Sequence, residues 1–254
     1  MSDPARPAPN TPLQNADTSM APTVYSNPAV IRARGVVKSY GDVHALAGID
    51  LDIAAGRFTS IMGPSGSGKS TLMHVLAGLD TVDQGSIQLG GTELTQLDDN
   101  RLTVLRRERI GFVFQSFNLL PMLTAEQNIL LPIQLSGATV DRAWFTTLVE
   151  AFKLSDRLTH LPSQLSGGQV QRIAIARALI TSPDVVFADE PTGNLDTATS
   201  TEVLDFLRLS VDQFGQTIVM VTHEPSAAAK TDRIVTLRDG QIISDSMTVT
   251  GGHR

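Results

Sequence analysis

Short apolar runs alternate with polar residues over residues 31–53, with turns at Tyr40-Gly41-Asp42 and Ala54-Ala55-Gly56, a pattern that predicts an antiparallel sheet. The period then changes. Phe58-Thr59-Ser60-Ile61-Met62 has the near-continuous apolar character of a buried strand, residues 63–68 are turn-forming, and residues 70–77 read as a short helix stopped at Gly78. From about residue 97 to 180 the spacing is mostly helical, with loops expected near 115–123, 135–139 and 161–168. Strands return at Val185-Val186-Phe187-Ala188 and Thr217-Ile218-Val219-Met220-Val221, whose unbroken apolar character suits a parallel sheet covered on both faces. A hairpin is expected from residues 234–237 and 241–244, turned by Asp239-Gly240.

Composition narrows the picture. No run approaches the ~18 apolar residues that cross a bilayer. The first 28 residues hold six prolines and no basic stretch followed by an apolar one, so a disordered tail is expected there instead of a signal peptide. Residues 29–246 are expected to form one domain and 247–254 a short polar tail. Cysteine is absent, which excludes disulfides and thiolate metal sites. A net charge of -6 weighs against a surface that neutralises a polynucleotide, and no nucleic-acid partner is expected. The local cluster Arg101, Arg106, Arg107 and Arg109 fits a solvated helix face better than contact with nucleic acid or lipid headgroups.

The chemistry concentrates at strand ends. Gly63-Pro64-Ser65-Gly66-Ser67-Gly68-Lys69-Ser70 fits the phosphate-binding loop pattern and lies between a strand and a helix, as that pattern requires. Glycines let successive N–H groups turn toward phosphate oxygens, and the helix adds the positive end of its dipole. Lys69 supplies a charge for the β- and γ-phosphates, Ser70 a hydroxyl for Mg²⁺, and Thr71 is counted with the loop as nucleotide-binding. Asp189 and Glu190 follow an apolar strand at its carboxyl end, where open α/β sheets hold ligands. Asp189 can hold Mg²⁺ and Glu190 can orient or deprotonate water, although such a pair by itself reads equally well as a strand cap.

Leu165-Ser166-Gly167-Gly168-Gln169 opens an amphipathic helix and makes a second candidate anion site, with plain capping by Ser166 as the competing reading. One nucleotide needs one phosphate loop. A second grip makes sense if two copies face each other.

Those residues, in that order, resemble the hallmark motif of the ABC ATPase family, and the resemblance covers about residues 31–244. It implies an α/β fold: a P-loop NTPase core with a parallel sheet, an N-terminal antiparallel β subdomain and an inserted helical subdomain at about 97–180. It also implies ATP and Mg²⁺ as cofactors, a homodimer, and a separate integral-membrane permease that the chain serves from the cytoplasmic face. On matching positions Tyr40 resembles the aromatic that stacks on adenine, and Gln115 the glutamine that links Mg²⁺ to the permease-facing surface. Asn194-Leu195-Asp196 resembles the loop that crosses the dimer, and His223 the residue that senses the γ-phosphate. Val170 departs from the usual polar residue after Gln169. Residues 111–121, 131–133, 232–234 and 237–240 are similar to the lipoprotein-release and macrolide-export group, with division-associated ATPases as the alternative. A mechanical ATPase acting on DNA or ribosomes would be expected to carry coiled coils, zinc modules or two cassettes. A sensing module without turnover would be expected to have lost Glu190 or His223, and both are present.

Overall fold

A computed structural model describes residues 28–248; the proline-rich segment before Pro28 and the last part of the expected polar tail lie outside the described residues. In chain order the elements are β1 (Ala29–Tyr40), β2 (Val43–Ala54), β3 (Phe58–Met62), α1 (Lys69–Leu76), β4 (Gln84–Leu89), β5 (Thr92–Glu93) and α2 (Asp99–Arg109). There follow β6 (Ile110–Phe114), α3 (Ala125–Ser136), α4 (Arg142–Ala151), α5 (Gly167–Leu179), β7 (Val185–Asp189), α6 (Thr197–Phe214), β8 (Ile218–Val221), α7 (Pro225–Ala228), β9 (Arg233–Arg238) and β10 (Gln241–Met247).

Among the described residues two sheets form. The first, ordered β2-β1-β4-β5, is antiparallel throughout. The second, ordered β10-β9-β3-β8-β7-β6, is parallel from β9 to β6, with β10 antiparallel at one edge. Alternate side chains of a strand point to opposite faces, and here they serve two cores. Phe187, Val219 and Ile61 pack with α1 and the antiparallel sheet. Val186, Ala188, Ile218 and Met220 pack with α3, α4, α5 and α6. The central strands are therefore apolar on both faces, as their continuous runs predict.

The expected helical stretch 97–180 is interrupted. Ile110–Phe114 is a strand, β6, paired in parallel with β7 from Ile110 opposite Val185 to Phe114 opposite Asp189. Four of its five residues are β-branched or aromatic, which favours a strand, but helical neighbours on both sides hide a run this short. Gly111 shows why the strand fits: a Cβ there would collide with the carbonyl oxygen of Ala178 in α5 and lie 3.0 Å from Cγ2 of Val186. β4 and β5 are further strands that no clear alternation marks in the sequence.

The arginine cluster of α2 is mostly spent inside the molecule. Arg106 donates to the Gly78 carbonyl, and Arg109 pairs with Asp184 at 2.5 Å and donates to Thr92. Replacing Gly111 with alanine is expected to destabilise the fold by about 1–3 kcal/mol, the usual penalty of overpacking. A thermal melt of Gly111→Ala at the wild-type Tm would show that β6 and α5 are not in tight register.

Candidate functional site

β3 delivers the chain into the loop of residues 63–68, and α1 begins directly after it. Two glycines decide how the loop fits. Gly63 (φ 149°) has no room for a Cβ because the Leu237 carbonyl of β9 occupies that space, and Gly68 (φ 99°) is blocked in the same way by the Ala45 carbonyl of β2. Backbone bonds from Gly240 N to Ser67 O (3.1 Å) and from Leu72 N to Gly68 O (2.8 Å) fix the ends of the loop. No side chain caps α1, so the N–H groups of its first turn stay available to an anion.

Lys69 is buried, at 8% exposure, and its Nζ donates to the Pro64 carbonyl at 2.9 Å. It has no carboxylate ion pair among the described residues. A buried ammonium has three protons to place and meets only one carbonyl here, so the environment suits an incoming anion. Tyr40, Ser65, Gly66, Gly68, Lys69, Ser70, Thr71, Glu190 and His223 line one cleft of about 560 Å³ together with Val43 and Ala45. This is the size range of small-ligand sites. A larger cavity of about 850 Å³ lies beyond the amino ends of the parallel strands, among Ala55, Trp144, Pro183 and Phe214. It contains neither the loop nor the paired acids, so chemistry rather than volume identifies the site.

Glu190 sits just past β7 in a left-handed conformation (φ 45°), unusual for a residue with a side chain. Bonds from its N–H to Val221 O and from Gly193 N to its carbonyl, both 3.0 Å, hold it there. Its Oε1 lies 3.0 Å from Nδ1 of His223. The two residues are separated by 33 positions, and neither motif announces the contact. Burial raises the Asp189 carboxyl above its ordinary range; the charges of His74 and Lys69 counter this, and Glu190 reinforces it.

The remaining expected residues lie outside the cleft. Gly63, Pro64 and Ser67 form the framework of the loop and are not part of the cleft wall. Gln115 packs against Gly193 and accepts, through its backbone carbonyl, a bond from Asn194 Nδ2 at 3.1 Å. Ser166 caps α5: its Oγ accepts from Gln169 N at 3.3 Å, while Gln169 Oε1 accepts from Ser166 N at 2.9 Å. Within one copy, capping is thus what these two side chains do. Gly167 and Gly168 pack against Leu195 and Thr199, where a Cβ would lie 3.0 Å from Leu195 Cδ2 and 2.6 Å from Thr199 Cγ2. Asp196 caps α6 through bonds from Ala198 N, Thr199 N and Thr199 Oγ1, which hold its carboxyl below the usual range. Nothing in the sequence pattern marks Asp80, although its Oδ2 accepts from the Tyr40 hydroxyl at 2.5 Å.

The family model described as ABC transporter matches residues 46–193, from the β2 edge of the cleft to the turn after Glu190. This chain belongs to the ABC transporter family. It is 49% identical over 222 residues to the macrolide export ATP-binding/permease protein MacB of Bdellovibrio bacteriovorus, a match covering 85% of this chain and 34% of MacB. The chain thus spans about a third of the length of the MacB relatives it matches. It is 46% identical over 226 residues to the ABC transporter ATP-binding protein YknY of Bacillus subtilis, covering 85% of this chain and 96% of YknY. Among solved structures, a dimeric post-hydrolysis state of the ATP-binding cassette MJ0796 bound to ADP and Pi matches with a TM-score of 0.76 and 39% identity, covering 86% of this chain and 98% of that one. Within that family it resembles the macrolide-export ATP-binding proteins, and the expected likeness to that group holds.

The raised Asp189 value carries a sign that can be checked. Its folded value lies above the ordinary 3.8, so native protein keeps the proton longer than unfolded chain, and stability falls as pH rises across that window. The cost is fully present once the pH lies above the folded value. Asp189→Asn is expected to raise the Tm of the nucleotide-free protein at neutral pH, with the gain shrinking as pH approaches 3.8; an unchanged Tm in a pH series of melts would contradict the assignment.

Proposed function

We propose that the chain is one half of an ATP-driven clamp, in which two copies close on nucleotide and pass the motion to a separate integral-membrane permease from the cytoplasmic face. The observation that carries this is a cleft that gathers only part of the expected site residues. Phosphate loop, Tyr40, Glu190 and His223 share it, while residues 166–169 lie elsewhere in the same copy. The first N–H groups of α5, at Gly167 and Gly168, have no partner within the helix, and Ser166 stands beside them. A second copy related by a two-fold axis can bring them to the phosphates. The ADP- and Pi-bound MJ0796 cassette, which is dimeric, supports that arrangement.

Each residue then has a task. Residues 63–68 cradle the phosphates, Lys69 and Thr71 grip them, and Tyr40 stacks on the adenine. Ser70, Asp189 and Gln115 offer hydroxyl, carboxylate and amide oxygens, a donor set suited to Mg²⁺, which retains several waters. Asp189 fits that role, since a nearby cation offsets the burial that raises its carboxyl. When bound, Mg²⁺ neutralises charge on the phosphate oxygens. Glu190 takes a proton from water as the water oxygen attacks the γ-phosphorus and the bond to ADP breaks. His223 holds the Glu190 carboxylate in line and faces the terminal phosphate. Asp196, on the loop packed against Gly167, lies at the seam between copies.

A groove of about 530 Å³ supports the permease contact. Arg107, Phe112, Phe114, Leu131, Leu135 and Arg177 line it, and Gln115 follows Phe114 directly. Among the described residues no helix is long and apolar enough to cross a membrane. The MacB relatives are named ATP-binding/permease proteins and YknY an ABC transporter ATP-binding protein, which supports coupling to a membrane permease, with export or force transmission across the membrane as its direction.

Glu190→Gln is expected to bind ATP normally, to lose roughly 10²- to 10⁴-fold in turnover, and to accumulate as a dimer in light scattering. Undiminished hydrolysis in that variant would overturn the role of Glu190. Lys69→Ala should lose most of its ATP affinity; wild-type affinity by calorimetry would remove the phosphate loop from the mechanism.

A further inference from the structure

Tyr40 ends β1 with 49% of its surface exposed, beside the turn into β2. A ring in that position rotates freely unless something holds it, and a base that stacks on a free ring must supply the ordering entropy itself. Here the ring is held at its tip. Asp80 Oδ2 accepts from the Tyr40 hydroxyl at 2.5 Å, while Asp80 Oδ1 accepts from Lys38 Nζ at 2.8 Å and from Thr81 N at 2.7 Å. The same ammonium lies over the Tyr40 ring, 5.1 Å from its centroid. One face of the ring is thereby covered by a cation, and the other is the face left for a base.

The clasp is anchored at both ends. Asp80 follows the carboxyl end of α1, where Leu79 N donates to His74 O at 2.8 Å and Gly78 turns left-handed. Ser39 N donates to Asp83 Oδ2 at 2.7 Å, and Asp83 N to Val37 O at 2.9 Å, so the segment after α1 is laced to the last residues of β1. Burial would raise the Asp80 carboxyl, but the bonds from Lys38 and Tyr40 overcome it and the group stays below its ordinary value. The bond to Asp80 in turn raises the Tyr40 phenol, which remains a donor. Lys38 is 7% exposed, and its charge is matched here.

We propose that Asp80 is a positioning residue for the nucleotide base: with Lys38 behind it, it locks the Tyr40 ring at the edge of the cleft in the orientation that receives adenine. This rests on the reading of Tyr40 as the base-stacking residue. The phosphate loop at one end of α1 and Asp80 at the other then grip the two ends of one nucleotide through a single helix about 12 Å long.

The test compares ADP with pyrophosphate, which has no base, by calorimetric titration of wild type, Tyr40→Phe, Asp80→Ala, the double variant and Tyr40→Ala. Tyr40→Phe and Asp80→Ala are each expected to weaken ADP about 3- to 10-fold, the range for having to order one side chain on binding, and to leave pyrophosphate unchanged. The double variant should lose less than the product of the two single losses, because both remove the bond between Tyr40 and Asp80, while Tyr40→Phe also loses the hydroxyl contact with Thr71. Equal loss for pyrophosphate, or losses that multiply in the double variant, would overturn the proposal. If Tyr40→Ala binds ADP like wild type, the stacking role of Tyr40 fails. If Tyr40→Ala is weak while Tyr40→Phe and Asp80→Ala are not, only the role of Asp80 fails. Should Asp80→Ala not fold with Lys38 left unpaired, Asp80→Asn, which still offers Lys38 an acceptor, carries the same comparison.

Discussion

Two backbone carbonyls, Ala45 O and Leu237 O, leave no space for a Cβ at Gly68 and Gly63, and much of this molecule is organised around that squeeze. One carbonyl belongs to the antiparallel sheet and the other to the parallel sheet. The loop between them is therefore the place where the two sheets meet, and its backbone can curl only because both positions are glycine. With the loop fixed, α1 starts uncapped, Lys69 is buried without an acidic partner among the described residues, and Glu190, just past β7, lines the same cleft.

The site is kept in an unrelaxed condition. Lys69 has a surplus of protons, Asp189 is buried enough to resist ionisation, and Glu190 has a backbone angle that ordinary residues avoid. Each feature costs stability in the ligand-free protein, and an anion beside Lys69 or a cation beside Asp189 would offset the first two. Stability elsewhere comes from double-faced burial of β3, β7 and β8, which needs no ligand.

How much of this the sequence disclosed depends on how local each signal is. Residues 63–70 carry their meaning in consecutive positions, and the structure puts them between strand and helix as the pattern requires. Glu190 and His223 were each legible from the strand before them, but their 3.0 Å contact joins distant segments and has no signature in either. β6 escaped notice because five residues are too few to show a period beside long helices, and what fixes them is the missing side chain of Gly111 against α5. Ser166 was legible in two ways, and within one copy the capping box is what its side chain makes. Asp80 had no motif at all; its partner lies 40 residues earlier, on another element.

The place of β6 in the sheet carries a mechanical meaning. Among the described residues it is an edge strand whose only sheet partner is β7, and its Phe114 lies opposite Asp189 in the ladder. Phe112 and Phe114 also face the apolar groove on the outside of the molecule. A load applied in that groove therefore reaches β7 through one row of hydrogen bonds and reaches α5 through the close contact at Gly111. β6 thus ties the outer groove to the strand that ends in Asp189 through adjacent backbone, so the two are mechanically one unit and a displacement of the groove would be passed to that strand end.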